Sequence, residues 1–456
     1  MTHVPQWWRR APDVMASFAG SVVRLDDRRR PPFKKFCKLD ANGRLKFQPP
    51  LLGAYIIEQT PVAAGGGLLY VYQDGVYREG EQALRHLITD LLGNEWTRSR
   101  SEETIAWLRA RAAAVDESPS PDEVNVRNGV LHIGRRGIEL GDHDADRRTP
   151  VQLPVTYDPA ASCPQIERFL FEVFPDPALL KLVYEIAGYL LVPDNSYQKA
   201  ILLHGPGGNG KSRVLALLTA LIGAENTSSR QLQDLDENRF ACADLYGKLA
   251  NICADISSRE LQSSSKFKAI TGGDRISGER KHQPAFEFTP FARLLFSANE
   301  VPSVRDGSKA FFDRWIVLPC TQELRGSERE DPKILDKLLT PAELSGFLNL
   351  ALEGLLRLRR NNGRFSMPTV AAAAGWNFRR LADNVAGFVD AYPPKPRRWI
   401  KRADLYWKYQ SWCHEVGLKP LSRGRFYARY AELVPLAEKK RRGHDGFLFL
   451  PPKGGQ

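Results

Sequence analysis

The chain has 456 residues, 43% of them hydrophobic and 26% charged, with a formal net charge of +12, an ordinary composition for two to four globular domains. No apolar run approaches the ~20 residues needed to span a bilayer, and the opening MTHVPQWWRRAPD lacks the apolar segment of a secretory signal, so a soluble cytoplasmic protein is expected. Six scattered cysteines (Cys37, Cys163, Cys242, Cys253, Cys320, Cys413) form no CxxC pair, which argues against structural zinc and a disulfide framework and for reduced packing residues.

In chain order, residues 1–50 read as a basic arm, with 11 Lys and Arg against 4 Asp and Glu and the run DDRRRPPFKKF. Residues 51–192 read as a mixed, helix-rich accessory domain. LLYVYQDGVY predicts a hairpin around Asp74-Gly75, ALRHLITDLLG and EETIAWLRARAAAV predict amphipathic helices, and VNVRNGVLHI predicts a strand pair around Asn128-Gly129. The break VPDNSYQ opens a core over 193–325. A mostly helical segment follows to 390, and AYPPKPRR reads as a linker. Residues 395–456 carry 15 basic against 5 acidic residues. There, two short helices, the second with Ser422 at its N-cap, precede a basic turn with Gly443 and Gly446 and an apolar strand, the outline of a winged helix. Positive charge is thus concentrated at both ends while the middle is slightly acidic, which suits a polyanion, and in particular nucleic acid.

The core begins with the buried-strand run AILLH, then GPGGNGKS, then the helical RVLALLTALIG. In that order Gly205, Pro206, Gly207, Gly208, Asn209, Gly210, Lys211 and Ser212 fit a phosphate-binding loop. Glycines let backbone N–H groups converge on phosphate oxygens, Lys211 reaches the terminal phosphates, and the Ser212 hydroxyl ligates Mg²⁺. The motif alone leaves kinase, GTPase, transporter and motor open. An NTPase also needs an acid for the metal and a polar sensor for the γ-phosphate, and often takes an arginine from a neighbour. KLANICADI ends in Asp255, ARLLFSANE carries Asn299 at its end, and FFDRWIVLP has Arg314 before a third strand. Between the first two lies a basic hairpin with Arg280, Lys281 and His282, available to a DNA backbone.

GPGGNGKS, NICADI, GGDRISGERK, LLFSANEVP and FFDRW, in this order and spacing, resemble the superfamily 3 helicases of the phage and plasmid primase type, related to the poxvirus primase-helicases. The resemblance covers about residues 120–320. It implies an α/β fold with an AAA+ P-loop core, an N-terminal accessory domain and a C-terminal winged helix. It further implies a ring, a hexamer by expectation, that uses ATP and Mg²⁺ to move on single-stranded and forked DNA in a bacterial or archaeal host, beside a separate primase or polymerase and away from membranes. By position, Lys211 and Ser212 carry over as Walker A, Asp255 as Walker B, Lys281 and His282 as hairpin DNA contacts, Asn299 as sensor and Arg314 as arginine finger, with Ser212 and Asp255 holding the metal.

Two departures from the family pattern matter. Ala254 and Ile256 flank Asp255 where many relatives have a second acid, leaving Glu260 as a weak substitute base, and too little sequence precedes residue 60 for a polymerase-type primase domain. The lone acid keeps open a DNA-binding initiator with a weak or degenerate ATPase. A small-molecule P-loop kinase would have no use for the hairpin or the basic tail.

Overall fold

A computed structural model of the chain describes residues 31–451, apart from 135–136, 306–307 and 442. The first 30 residues of the expected basic arm lie outside the described residues. Two compact units emerge. One comprises the chain up to Asp116 together with Asp144–Pro150, and the other Glu117–His143 and the chain from Val151 onward.

The first unit packs helices Pro49–Gln59, Glu81–Leu92 and Arg98–Arg111 with a four-stranded sheet. Three of its strands, Val62–Gly65, Leu68–Gln73 and Val76–Glu79, form an antiparallel meander; the last two are the hairpin expected at Asp74-Gly75. Both turn residues take positive φ, 49° and 87°, as the tight two-residue turn requires. The short strand Ala113–Ala114 joins parallel to Val62–Gly65, so a crossover through the helices closes the unit. Leu52, Ile56, Leu84, Ile88, Ile105 and Leu108 form its core.

The centre of the second unit is a five-stranded, all-parallel sheet. Its strands are β1 (Ala200–His204), β2 (Thr227–Ser228), β3 (Ala250–Cys253), β4 (Arg293–Ala298) and β5 (Trp315–Pro319), in the spatial order β2-β3-β4-β1-β5. β1, β3 and β4 are buried along nearly their whole length, which is why their sequences read as continuous apolar runs. The glycine-rich segment leaves the C-terminal end of β1 and enters helix Lys211–Ile222, whose Val214, Leu217, Leu218 and Leu221 return to the same core.

Three helices complete this core, Pro164–Val173, Pro177–Leu190 and Pro341–Arg360, each with proline at its start, where the missing N–H costs nothing. The latter two cross through glycine. A Cβ on Gly188 would lie 2.3 Å from the Ala351 carbonyl oxygen, and one on Gly354 would lie 2.1 Å from that of Tyr184. Glu185, fully buried at this crossing, accepts from Arg357 Nε (2.8 Å), Ser366 N (2.7 Å) and Ser366 Oγ (2.6 Å), so its charge is fully met. Glu343 accepts from the backbone N–H groups of Gln165 and Ile166 and so caps the helix at Pro164.

At the C-terminal end, Trp399–Lys401 and the hairpin Leu436–Arg441/His444–Phe449 form a three-stranded sheet beside helices Arg402–Glu415 and Arg423–Leu433. Tyr409 and Phe426 stack at 4.3 Å in their core. Ser422 occupies the N-cap of the second helix without a side-chain cap bond. All six cysteines are free, and five are buried. No helix among the described residues is long and apolar enough to cross a membrane.

Candidate nucleotide-binding site

The loop Gly205–Gly210 is shaped by close approach. A Cβ on Gly205 would stand 2.0 Å from the Cys320 carbonyl oxygen, while Gly208 and Gly210 take φ of 82° and 83°, a region L side chains rarely enter. Two strand ends hold the loop. Cys320 N donates to the His204 carbonyl (2.8 Å), and the Asn209 amide donates to the Cys320 carbonyl (2.5 Å). Beyond β5, the backbone N–H groups of Leu324 and Arg325 both donate to Gly208 O, at 3.0 and 2.9 Å. Arg325, exposed, runs its stem along Gly208. The sequence motif gave no sign of this second clasp, because it comes from a loop more than a hundred residues away.

Lys211 is the focus of the site. Only 7% exposed, its ammonium donates to Gly205 O (2.7 Å), Pro206 O (2.7 Å), Asn209 Oδ1 (3.0 Å) and Asn299 Oδ1 (2.9 Å). Burial pushes its pKa down, opposed by the fields of Cys320 and Asp255. The neighbouring His204 is also pushed down, by burial first and by the Lys211 charge second. Asn299 follows β4 directly, so the contact brings the ends of β1 and β4 together. Asp255 lies two residues past β3, exposed, with φ of 57°, and its N–H donates to Ser297 Oγ at 3.0 Å. Ser212 is exposed at the start of the helix. Ile256, next to Asp255, is buried, and Glu260 is exposed and accepts from the Gln262 amide, so β3 supplies one carboxylate to this edge. Glu300, exposed directly after Asn299, is a second acid at the same edge that the motif reading passed over.

The donor set suits phosphate and a hard cation: a buried ammonium in contact with carbonyl and amide oxygens only, an open Gly207, an exposed hydroxyl and an exposed carboxylate.

The other expected residues lie elsewhere. Arg314 precedes β5, and its carbonyl accepts from Ala200 N, which puts it at the N-terminal edge of the sheet, opposite the loop. Its guanidinium donates to Ala310 O (2.7 Å) and Gln198 Oε1 (3.3 Å), not to a carboxylate, and its buried Nε takes no hydrogen bond. The basic hairpin pairs Ile276–Gly278 with Phe286–Phe288. Arg275, at its base, pairs with Glu287 (2.9 Å), and Glu279, just past the first strand, pairs with Arg239 (3.4 Å). Arg280 is half-buried over the Phe286 ring, 4.7 Å from its centroid, whereas Lys281 and His282 stand exposed at the tip.

Comparison with known proteins gives family models, viral relatives and a fold likeness. The model of a family of unknown function, DUF5906, matches residues 203–314, and the "D5 N terminal like" model matches 62–175. Over 273 residues the chain is 22% identical to a protein of Acanthamoeba polyphaga mimivirus named as a candidate helicase (L207/L206), covering 54% of this chain and 28% of the relative. It is 24% identical over 185 residues to another such protein, 121R of Invertebrate iridescent virus 3, covering 36% and 19%. The chain therefore matches less than a third of the length of these curated relatives. The mixed α/β fold is similar to the solved C-terminal region of NrS-1, residues 305–718, with TM-score 0.49 and 14% identity over 87% of this chain and 98% of that one. The family models and the viral relatives bear out the resemblance to the phage and viral superfamily 3 primase-helicases.

Proposed function

We propose that the chain is an ATP-dependent replicative DNA helicase of a phage, plasmid or integrated mobile element, acting as a ring on single-stranded DNA. One observation carries the reading: the Lys211 ammonium, on the helix that follows the glycine loop, meets Asn299 at the end of β4 at 2.9 Å, with the charge of Asp255, beyond the end of β3, acting on it. The strand order β2-β3-β4-β1-β5 supports an AAA+ core, and the C-terminal helices and hairpin support a winged helix. In this reading Lys211 neutralises charge growing on the terminal phosphoryl group, Asn299 senses it, and Ser212 and Asp255 hold Mg²⁺. When bound, the metal would supply charge neutralisation to the phosphates. Arg314, on the far edge of its own sheet, serves the loop of a neighbouring subunit. Lys281 and His282 touch the DNA backbone.

The test is ATP hydrolysis by the full chain with and without single-stranded DNA. Stimulation by DNA that disappears in Lys211→Ala supports the helicase. The lone β3 carboxylate favours one alternative, an initiator with a weak ATPase, for which DNA would bind without accelerating hydrolysis.

A further inference from the structure

The first unit carries a feature that the nucleotide site does not use. Residues Cys37–Leu39 and Leu45–Phe47 form a two-stranded hairpin in the register Cys37↔Phe47, Lys38↔Lys46, Leu39↔Leu45. Alternation along the strands divides it into two faces. Phe47 belongs to the inner face and stacks on Phe33 at 6.1 Å, with the Arg100 guanidinium over both rings and paired to Glu95. The outer face holds Lys38 directly opposite Lys46, with Arg44 two residues before Lys46 and Asp40 two after Lys38. All four are exposed.

Two lysines directly opposed across a strand pair repel, and such pairs are destabilising. Nothing in the hairpin offsets the repulsion. Asp40 directs Oδ1 at the backbone N–H groups of Asn42 and Arg44, both at 2.9 Å, and so serves the turn. Among the described residues no carboxylate pairs with Lys34, Lys38, Arg44 or Lys46, although arginines elsewhere in the unit, the half-buried Arg85 and the exposed Arg109, find glutamates. Lys35, by contrast, lies over the Tyr55 ring at 4.9 Å. Lys38 and Lys46 face each other across the pair, and Arg44 follows on the same face at roughly the 6.6–6.8 Å of alternate residues, so three cations on one face are offered to a polyanion.

We propose that this outer face, Lys38, Arg44 and Lys46, binds the phosphate backbone of single-stranded DNA, as a second contact separate from the Lys281–His282 tip. The proposal rests on the DNA reading above, and it assigns a role to the end of the chain whose charge that reading left unused. An acidic protein surface is the competing partner, and the experiment separates the two.

The full chain, without nucleotide, is titrated with fluorescein-labelled oligo-dT over a salt series, beside the double variant Lys38→Gln/Lys46→Gln. Losing two phosphate contacts should flatten the slope of log K against log salt by up to about 1.4. DNA-independent ATPase should stay unchanged. The melting temperature should hold or rise, because the substitution removes a repulsion. An unchanged slope in the folded double variant overturns the proposal and leaves the face to an acidic protein partner. A lowered melting temperature with unchanged slope also overturns it, by making the lysines structural. If the parent chain binds no oligo-dT at all, the DNA reading itself fails and takes this proposal with it, a result distinct from either of the others.

Discussion

The glycine loop and the basic hairpin both leave the same parallel sheet, yet they treat their cations in opposite ways. In the loop, Lys211 is buried and its ammonium meets four protein oxygens, so the group is held in one position. In the hairpin, Arg275 and Glu279 are paired and Arg280 stacks on Phe286, which leaves Lys281 and His282 outward at the tip. Under the proposed function the difference separates two tasks. A group that must stabilise a transition state has to be pre-positioned in a dry site, whereas one that follows a sliding backbone works best wet and loosely held.

This contrast can be broken most decisively at Lys211. Lys211→Ala should abolish ATP turnover while the chain stays folded; a folded variant hydrolysing ATP near the parental rate would end the nucleotide-site reading. Arg314→Ala should bind ATP almost normally yet lose roughly 10³ to 10⁵ in rate, the range measured for arginine fingers. Because Arg314 lies at the opposite edge of the sheet from its own loop, mixing it with Lys211→Ala should restore part of the activity. Mixed assemblies with no regained ATPase would sink the trans assignment.

Backbone tolerance sharpens the comparison at smaller cost. Gly205→Ala sets a methyl 2.0 Å from the Cys320 carbonyl and should cost about 1–3 kcal/mol, read as a lowered denaturation midpoint. At the hairpin tip, His282 already sits at φ of 62°, so His282→Gly should hold or raise stability by up to ~1 kcal/mol. The reverse ranking would mean that the tip, not the loop, is the rigid element. The smallest effect belongs to Lys281→Ala with His282→Ala. Basal ATPase should persist, and the salt dependence of single-strand binding should flatten by up to about 0.7 per cation.

What the sequence disclosed was local. The loop, the strands ending near Asp255 and Asn299, and the turn at Asp74-Gly75 are encoded within a few residues of themselves, in apolar runs and in glycines at positive φ. The second hairpin is there too, but it turns at Arg127-Asn128, one residue before the expected Asn128-Gly129, because Gly129 already pairs with Val126. What it withheld came from distant parts of the chain. No periodicity says that Gly188 and Gly354 let two helices touch backbone to backbone, that Glu343 caps a helix begun nearly 180 residues earlier, or that Arg325 lies against Gly208. Arg280, Lys281 and His282 look equivalent as a run of charge. Only the packing of Phe286 and Tyr246 separates the first from the other two.

The Lys211 geometry bears on release as well as on binding. Its ammonium donates to Gly205, Pro206, Asn209 and Asn299. Under the proposed function, an arriving terminal phosphate would have to displace some of those oxygens, and its departure would hand the lysine back to them. The chain would then compete with its own ligand for one cation. Such competition would weaken affinity and ease release, which for an enzyme of many turnovers matters as much as capture.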